Sequence, residues 1–552
     1  MNMKTTSQLK GIIEQSFSIS SPYLLATALE QIRQEKENLL LELRNNSCIK
    51  VPIVGDFSAG KSSLLNCFIG RNSLLPVDIT PETAVAYELY YSTNEFVELY
   101  RDGKKIDERS IDEIKKLNVQ PGDIAKVFVS SPEILDLQNR GIILVDMPGI
   151  DSGIKEHNDA ILHYITKGTA FILLVDVGQG SLRQSTLAFM SELSKYNLQP
   201  AVLISKIDKK PASELKDIKE YITFQADKAI GSETFVGCIS AHNKEINDFI
   251  QYLAAIDSEK LISERFRSRV IGYINLQIAC LSTQLDLANV NLQNIEEKIG
   301  QLEEEKVRIA ERLDSTVTVD KPEKSTQDIL DAVNEELTTH SEEIAQMIVN
   351  KESSDNIQAL ILNYIRPVII NSFKEEGEQY ATSLNTVVDD ATKTLQDTLK
   401  IEGNVIDNVI DSFHDEIAGG LSVAADFLIN NPHIFAKALG YILMFFGDKV
   451  PELIRFLFGK SKESIVLEMI QKINSDINPK IIEQLRKPIL ELVIMQQTKI
   501  RENIQKNISN GLGHMQDIMR AAGTETSKEE LDAKIVNLQA AINQLKEFEN
   551  KI

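Results

Sequence analysis

The sequence predicts a mixed, mostly parallel α/β sheet flanked by helices, joined to a long α-helical bundle. A glycine-rich motif at residues 55–62 lies between a β-branched run that predicts a buried strand and an apolar run that predicts a helix. Two later apolar runs, 141–145 and 201–204, have the composition of further buried strands. Beyond residue 252, apolar residues recur every three or four positions, which is typical of helices. A chain of 552 residues is also too long for one core, so two or more domains are expected.

The glycine-rich motif has the order G-x-x-x-x-G-K-S and predicts a phosphate loop. Glycines let backbone N–H groups approach phosphate oxygens closely, and the N-terminus of the following helix adds positive charge. Lys61 is predicted to reach the β- and γ-phosphates, and Ser62 to ligate Mg²⁺. The alternative is a chance glycine turn, which the flanking strand and helix disfavour. The predicted nucleotide-binding residues here are Gly55, Asp56, Phe57, Ser58, Ala59, Gly60, Lys61, Ser62 and Ser63.

A second motif, Asp146-Met147-Pro148-Gly149, follows the apolar run 141–145. A carboxylate at a strand end beside a phosphate loop suits a water-mediated Mg²⁺ contact, so Asp146 is a predicted metal residue. The N–H of Gly149 would then sense the γ-phosphate. By itself the pattern is also a common turn. The metal-site interpretation is favoured because the motif follows the phosphate loop by about ninety residues, within the length of one domain.

The segment 75–85 lies between these motifs and predicts a switch loop that orders around the γ-phosphate. A threonine here would ligate Mg²⁺ and hold the attacking water through its backbone carbonyl. Thr83 is the first choice and Thr80 the second. Either could instead be a simple turn hydroxyl.

A third motif, Ser205-Lys206-Ile207-Asp208, follows the apolar run 201–204 and predicts guanine recognition. The Asp208 carboxylate can accept both N1–H and N2–H₂ of guanine, which adenine does not offer, while the Lys206 stem lies over the base. Ser240 and Ala241 follow another predicted strand and would back the base. Ser205 stands where this pattern has Asn or Thr, which keeps an ATPase open as an alternative. A solvated Lys/Asp turn is the other alternative.

Together these residues resemble the dynamin superfamily of large GTPases, and more closely its bacterial dynamin-like branch. The loop G-D-F-S-A-G-K-S-S and the leucine-proline segment that runs into P-x-T carry the resemblance, which is specific over about residues 48–245. It implies a P-loop GTPase domain with Mg²⁺ and, through Ser58, a monovalent cation, K⁺ or Na⁺. Ser58, Lys61 and Thr83 would be catalytic, with Ser58 taking over part of the task of the catalytic glutamine that small GTPases carry where this chain has Ile150. It also implies nucleotide-dependent pairing of GTPase domains and a second dynamin-like protein as a partner.

Composition indicates which classes of partner are excluded and which cellular compartment is expected. The formal charge of −22 argues against nucleic acid, since binding phosphates requires a basic face. Four cysteines show no paired spacing, which favours a reducing compartment. No apolar leader and no run of eighteen apolar residues is found, so we expect a cytoplasmic protein, peripheral on the inner face of the cell membrane if it binds lipid.

Three apolar stripes, at the two chain ends and after residue 270, predict helices that pack together as a neck bundle. The longest stripe predicts one continuous helix over about 271–313, with a coiled-coil dimer seam as the alternative to an intramolecular bundle. The predicted division of the chain is N-terminal neck helices 1–47, the nucleotide domain 48–252, a neck helix 253–316, a helical trunk or stalk 317–522, and a C-terminal neck helix 523–552.

Residues 433–462 are rich in aromatic and basic side chains, with five lysines or arginines against two acidic residues. Such segments suit the lipid interface, and this one lies midway through the helical region, where a hairpin tip is expected. A buried helical hairpin is the alternative. The predicted membrane residues are Phe435, Lys437, Tyr441, Phe445, Phe446, Phe456 and Phe458.

Two functions therefore remain open from the sequence. The first is a mechanochemical GTPase that hydrolyses GTP to GDP and phosphate and moves or bends membrane through its helices. The second is a nucleotide-switched scaffold whose apolar tip binds a protein partner and not lipid.

Overall fold

The computed structural model describes residues 4–56, 58–71, 73–76, 85–101, 103–120, 123–149, 164, 170–195, 198–288, 295–315, 320–399, 439, 462–522 and 528–549. Within them the predicted α/β domain and long helical region are both present, so the predicted fold class is confirmed.

The nucleotide domain is built on a mixed, nine-stranded sheet, counted over the described residues, with strand order β4-β3-β5-β2-β6-β1-β7-β8-β9. Strands β6, β1, β7, β8 and β9 are parallel neighbours, whereas β2 pairs antiparallel with β6. The strands are β1 (Ile49–Gly55), β2 (Ala86–Tyr91), β3 (Phe96–Arg101), β4 (Lys104–Ser110), β5 (Ile124–Val129), β6 (Ile142–Asp146), β7 (Ile172–Asp176), β8 (Ala201–Ser205) and β9 (Val236–Cys238).

The parallel arrangement decides where a site can form. Because β1, β6 and β8 run in the same direction, the loops after their carboxyl ends meet at one edge of the sheet. These are the loops that carry the three predicted nucleotide motifs. The strands are apolar and buried on both faces because helices cover each side.

Seven helices of the described chain precede the long helical region, and five of them flank the sheet. They are α1 (Lys4–Ser20), α2 (Ala26–Asn45), α3 (Lys61–Ile69), α4 (Pro132–Asn139), α5 (Gln184–Lys195), α6 (Ala212–Ile230) and α7 (Asn247–Ala255). The later helices are α8 (Ser258–Ala288), α9 (Ile295–Ser315), α10 (Asp320–Thr339), α11 (Ser341–Val349), α12 (Ser354–Leu399), α13 (Lys462–Lys472), α14 (Asn478–Ala522) and α15 (Lys528–Glu549).

The neck is formed by α1, α2, α8 and α15, which pack against one another. Their apolar stripes share one hydrophobic core, with Ile13, Ile32, Ile274 and Leu545 all fully buried in it. This core is continuous with one face of the nucleotide sheet. Helices from both ends of the described chain thus pack on the helix that leaves the nucleotide domain.

The neck helix predicted over 253–316 is helical in its described parts, which are α8 as far as Ala288 and α9 from Ile295, while residues 289–294 lie outside the described residues. Helix α9 packs on α12 and α14 of the trunk. The two halves of the stripe have the same apolar spacing, so the sequence did not show that they face different partners. Helix α10 begins at Asp320 and holds Pro322 in its first turn, where proline is tolerated.

The trunk consists of α9 to α14 and has its own hydrophobic core. Helices α13 and α14 are joined by a single π-helical segment, Ile473–Ile477, and α14 is 45 residues long. Among the described residues, none of the helices combines the length and hydropathy needed to cross a membrane. All seven named side chains of the predicted membrane segment 433–462 lie outside the described residues, and within the segment only residues 439 and 462 are described. Of these, Leu439 is buried in the trunk core.

Candidate nucleotide site

The phosphate loop follows β1 and turns into α3 at residue 60. Gly55 pairs with Leu174 in the parallel sheet, and a Cβ at this position would lie 2.3 Å from the Leu174 carbonyl oxygen, so only glycine fits. Gly60 has φ +93°, in the left-handed region that favours glycine. Both glycines of the motif are therefore required by the backbone, as a phosphate loop requires.

Lys61 begins α3 and is buried, with its ammonium inside the loop. Its Nζ donates to the carbonyls of Gly55 at 3.0 Å and Asp56 at 2.9 Å. A buried ammonium held by carbonyl oxygens at a helix N-terminus is a strong anion-binding arrangement, because the lysine charge and the helix dipole act at the same place. This position suits a lysine that contacts the phosphates.

Ser62 and Asp146 come together although they are 84 residues apart. The Ser62 hydroxyl donates to Asp146 Oδ2 at 2.6 Å, and Asp146 Oδ1 has no hydrogen-bond partner among the described residues. Burial raises the pKa of Asp146 to about 6, and the Lys61 charge opposes the shift. A buried carboxylate with an unsatisfied oxygen beside a serine hydroxyl fits a hard cation such as Mg²⁺. Ser62 and Asp146 are thus the residues that would hold it.

Ser205 braces the phosphate loop from the neighbouring strand. Its Oγ lies 2.7 Å from the Ala59 carbonyl oxygen and 3.2 Å from that of Val175, and the residue is buried. The serine hydroxyl therefore connects β8 to the phosphate loop and to the end of β7.

Lys206 adopts φ 58°, a left-handed conformation that points its side chain across the phosphate loop. Its Nζ donates to the Ser58 carbonyl and, at 2.8 Å, to Asp176 Oδ2. The lysine stem also passes 3.8 Å from where a Cβ on Gly60 would be. This places the stem over the loop, where a base-stacking lysine is needed.

Asp208 lies beyond Lys206, with its carboxylate at the protein surface. The Ser240 hydroxyl donates to Asp208 Oδ1, and this hydrogen bond lowers the pKa of Asp208. Ser240 Oγ also accepts from the backbone N–H of Asn243 at 3.1 Å. The aspartate is thus kept ionised and oriented, as a guanine-reading carboxylate must be. Ala241 follows at the same loop.

Three residues of this site were not identified from the sequence. Gln179 and Arg183, in the segment after β7, both reach the Asp56 carboxylate of the phosphate loop; the Arg183 Nη1 to Asp56 Oδ2 distance is 3.1 Å. Their pairing with Asp56 depends on the crossover between β1 and β7. No spacing in the sequence brings position 183 to position 56. Asp176, which holds Lys206, was missed for the same reason.

The remaining predicted residues divide into two groups. Ser58 is exposed, Ser63 is partly buried, and Gly149 is buried near the end of β6. Phe57, Thr80 and Thr83 lie outside the described residues, so their predicted roles stay predictions. In the part of the chain that the structure describes, no cluster of three or more His, Cys, Asp or Glu side chains could hold a metal.

Residues 51–208 match the sequence model of the dynamin family. The chain is 25% identical over 278 residues to dynamin-like protein 2 of Campylobacter jejuni, covering 46% of this chain and 41% of that protein. It is 25% identical over 236 residues to dynamin-1 of Homo sapiens, covering 38% of this chain and 26% of that protein. The chain thus spans less than half the length of these curated relatives. The similarity to the dynamin family thus lies in residues 51–208, the part of the chain that carries the phosphate loop, Asp146 and Asp208.

Among solved structures, an oligomerised bacterial dynamin pair, described as sensing and tethering membranes, aligns with 100% of this chain and 95% of its own, at 16% identity and a TM-score of 0.33. The GTPase Era of Aquifex aeolicus, bound to GDP and aluminium fluoride, aligns with 42% of this chain and 66% of its own, at 18% identity and a TM-score of 0.24.

Proposed function

We propose that the chain hydrolyses GTP to GDP and phosphate and couples this reaction to movement of its helical trunk. The observation that carries the proposal is the meeting of Ser62 and Asp146, at 2.6 Å, beside the buried Lys61 ammonium. Those three groups are what a phosphate loop needs to hold a metal-bound nucleoside triphosphate. The proposal of guanine as the base rests on Lys206 and Asp208.

Each residue has a role that follows from its position. Lys61 and the N-terminal amides of α3 would bind the β- and γ-phosphates and stabilise charge on the departing phosphate. A bound Mg²⁺ would neutralise charge between these phosphates, held by Ser62 and, through water, Asp146. Ser58 would position the attacking water and a monovalent cation, with Thr83 completing the switch loop. Pairing of two GTPase domains across the nucleotide would then exclude bulk solvent from the site and leave the attacking water in place.

The enzyme assignment is tested by steady-state turnover of GTP and ATP with Mg²⁺. We expect GTP to be hydrolysed in preference to ATP, and Lys61→Ala to abolish turnover by removing the ammonium from the phosphates. Asp208→Ala should reduce the preference for GTP by about 10-fold or more, because each lost charged hydrogen bond is worth roughly 1.5–3 kcal/mol. Equal use of ATP and GTP by the unchanged protein would contradict the guanine assignment.

The membrane part of the proposal rests on the composition of residues 433–462 and is tested separately. Purified protein would be mixed with anionic and neutral vesicles, with GTP, with GDP and without nucleotide, and then sedimented. Lipid-stimulated turnover with co-sedimentation would support a remodelling GTPase at the inner face of the membrane. If lipid does not change the rate of GTP turnover and all protein stays in the supernatant, the scaffold function is favoured. A second dynamin-like protein would then be sought as the partner.

The role of the segment is tested by replacing aromatic side chains within it and comparing the result with a matched change elsewhere. Phe445→Ser with Phe446→Ser should reduce binding to vesicles, because two aromatic rings are lost from the interface. The exposed Phe224 of α6, changed to serine, removes an aromatic ring far from the segment in sequence. Equal loss of binding in both variants would contradict a specific role of the segment.

A further inference from the structure

A buried ion pair joins the nucleotide domain to the trunk. Glu192, on α5, accepts a hydrogen bond from Arg366, on α12, with 2.8 Å between Oε2 and Nη2. Each side chain is at most 1% exposed. The contact connects positions 174 residues apart and lies outside the nucleotide site.

Helix α5 is buried on two sides. One side packs on the nucleotide sheet and the other packs on the trunk. Phe189, Met190 and Leu193 pack into the core of the nucleotide sheet. Ala188, Glu192 and Lys195 follow each other at helical spacing on the trunk side: Ala188 lies in the trunk core, and Lys195 Nζ lies 3.2 Å from Glu336 Oε1 on α10. Glu192 is therefore a surface carboxylate of the nucleotide domain that is buried because the trunk packs on it.

The pair is incompletely satisfied. Among the described residues, Glu192 Oε1 and the Nε and Nη1 of Arg366 are buried without a hydrogen-bond partner. Burial raises the pKa of Glu192 to about 7, although the Arg366 charge opposes the shift. Pro367 follows Arg366 within α12 and has no N–H for the carbonyl of Asn363, so the helix is weakened at the contact. Buried charges with open hydrogen-bonding positions are costly, and separating the two surfaces would hydrate both.

The same helix begins at the phosphate loop. Arg183 directly precedes α5 and pairs with Asp56 of the loop, as does Gln179. Residues 183 and 192 are about 13 Å apart along a helix. Helix α5 therefore connects the contact at Asp56 of the phosphate loop to the contact at Glu192.

We propose that α5 and the trunk form an intramolecular latch, closed by Glu192 and Arg366 and released when nucleotide moves the phosphate loop against Arg183. The contact stands on its own geometry, whereas control by nucleotide rests on the proposed function. Release would free the trunk to move relative to the nucleotide domain.

The latch is tested by cross-linking across the neighbouring Lys195–Glu336 pair. Lys195→Cys and Glu336→Cys are combined, a short bismaleimide is added, and the product that joins these two positions is quantified by mass spectrometry. Each substitution made alone is a control for reaction with the native cysteines. In this background, Arg366→Met should shift the ratio of closed to open molecules by about 100-fold towards open, because Glu192 is left buried and unpaired. Glu192→Gln, a smaller change, should shift it in the same direction.

Replacing both charges distinguishes a latch from simple damage to the fold. Glu192→Met with Arg366→Met should restore cross-linking and keep it high in every nucleotide state, since two apolar side chains pack without desolvating a charge. Cross-linking of Arg366→Met at the unchanged level would overturn the latch, as would its failure to recover in the double variant.

Control of the latch by nucleotide is tested by a separate measurement. Binding of a fluorescent, non-hydrolysable GTP analogue is measured on the same samples, and bound analogue should lower cross-linking of the background protein. If the analogue binds and cross-linking does not change, control by nucleotide is overturned. If no analogue binds, the proposed function fails, and the comparison of Arg366→Met with the double variant still decides whether the latch exists.

Discussion

The hydroxyl of Ser205 ties β8 to the phosphate loop at the residue scale. Its single proton can be donated to only one acceptor, and the Ala59 carbonyl oxygen at 2.7 Å is closer than that of Val175 at 3.2 Å. The strand that leads to Lys206 and Asp208, the residues predicted to recognise the base, is therefore bonded directly to the loop predicted to bind the phosphates. A change at this hydroxyl should affect both parts of the nucleotide.

Ser205→Ala should weaken binding of GTP about 5-fold, because the buried Ala59 carbonyl loses a hydrogen bond worth roughly 1 kcal/mol. Isothermal titration with GDP and a GTP analogue measures the loss. Ser205→Thr keeps the hydroxyl and is the control, with affinity close to that of the unchanged protein. Equal affinity of the alanine and threonine variants would contradict the bracing role.

His514 makes stability depend on pH. Burial lowers its pKa from 6.5 to about 4, although the Asp517 carboxylate opposes the shift. The unfolded chain therefore takes up a proton near pH 6.5 while the folded chain does not until about pH 4. The contribution of His514 to the free energy of unfolding is therefore constant above about pH 6.5, and it decreases as the pH falls from there to about 4.

Lowering the pH from about 7.5 to about 5.5 should therefore cost about 1 kcal/mol through His514, and this part of the loss should vanish in His514→Gln. Denaturant unfolding at both pH values gives the difference for each protein. His242→Gln changes an exposed histidine and should keep the full loss. A loss of the same size in His514→Gln and in the unchanged protein would refute the assignment.

At the scale of elements, the trunk completes a helix of the neck. The N-cap position of α2 is Leu25, which provides no side-chain hydrogen bond. Asp517 of α14 supplies one instead, accepting from the Thr27 N–H at 2.9 Å. Gly513 permits this approach, since a Cβ there would lie 3.2 Å from Thr27 Cγ2. An N-terminal helix is thus capped by a residue almost 500 positions later in the chain.

Asp517→Ala should lower the free energy of unfolding by about 0.5–2 kcal/mol, because a helix N-terminus loses its acceptor and a favourable negative charge. Asp517→Asn retains an acceptor oxygen and should lose only part of this stability. Unfolding in denaturant near pH 7.5, where His514 is neutral in both states, measures the change without the histidine effect. A larger loss in the asparagine variant than in the alanine variant would contradict the capping role.

At the scale of the whole molecule, the neck and the nucleotide domain share one core. The cluster that contains Val51 of β1 and Leu144 of β6 also contains Leu538 and Leu545 of α15. The trunk has a separate core, connected to the nucleotide domain at α5 through Ala188. The neck should therefore unfold together with the sheet that positions the nucleotide.

Leu545→Ala should lower the free energy of unfolding by about 2–5 kcal/mol, because it leaves a cavity in the shared core. Hydrogen exchange should then increase in β6 as well as in α8. Val536→Ala is the matched control on the same helix, since this side chain is 66% exposed, and its effect should stay within about 0.5 kcal/mol. If exchange in β6 is unaffected by the Leu545 change, the neck and the sheet unfold independently.

The sequence by itself determined the class of fold and predicted which residues lie at the sheet edge. A phosphate loop needs glycines at fixed positions, and buried parallel strands are continuous apolar runs, so both are local patterns that can be recognised in one dimension. Lys61, Ser62, Asp146, Lys206 and Asp208 were predicted in this way, and their chemical roles stay predictions.

Only the tertiary structure decided which distant residues meet. Arg183 at Asp56, Glu192 at Arg366 and Asp517 at the start of α2 depend on strand crossovers and helix packing, which no local spacing encodes. The long apolar stripe shows the same limit, because its two halves look alike in sequence yet are buried by different neighbours in the neck and the trunk. An apolar residue in such a pattern predicts burial, but the tertiary fold decides which helix it packs against.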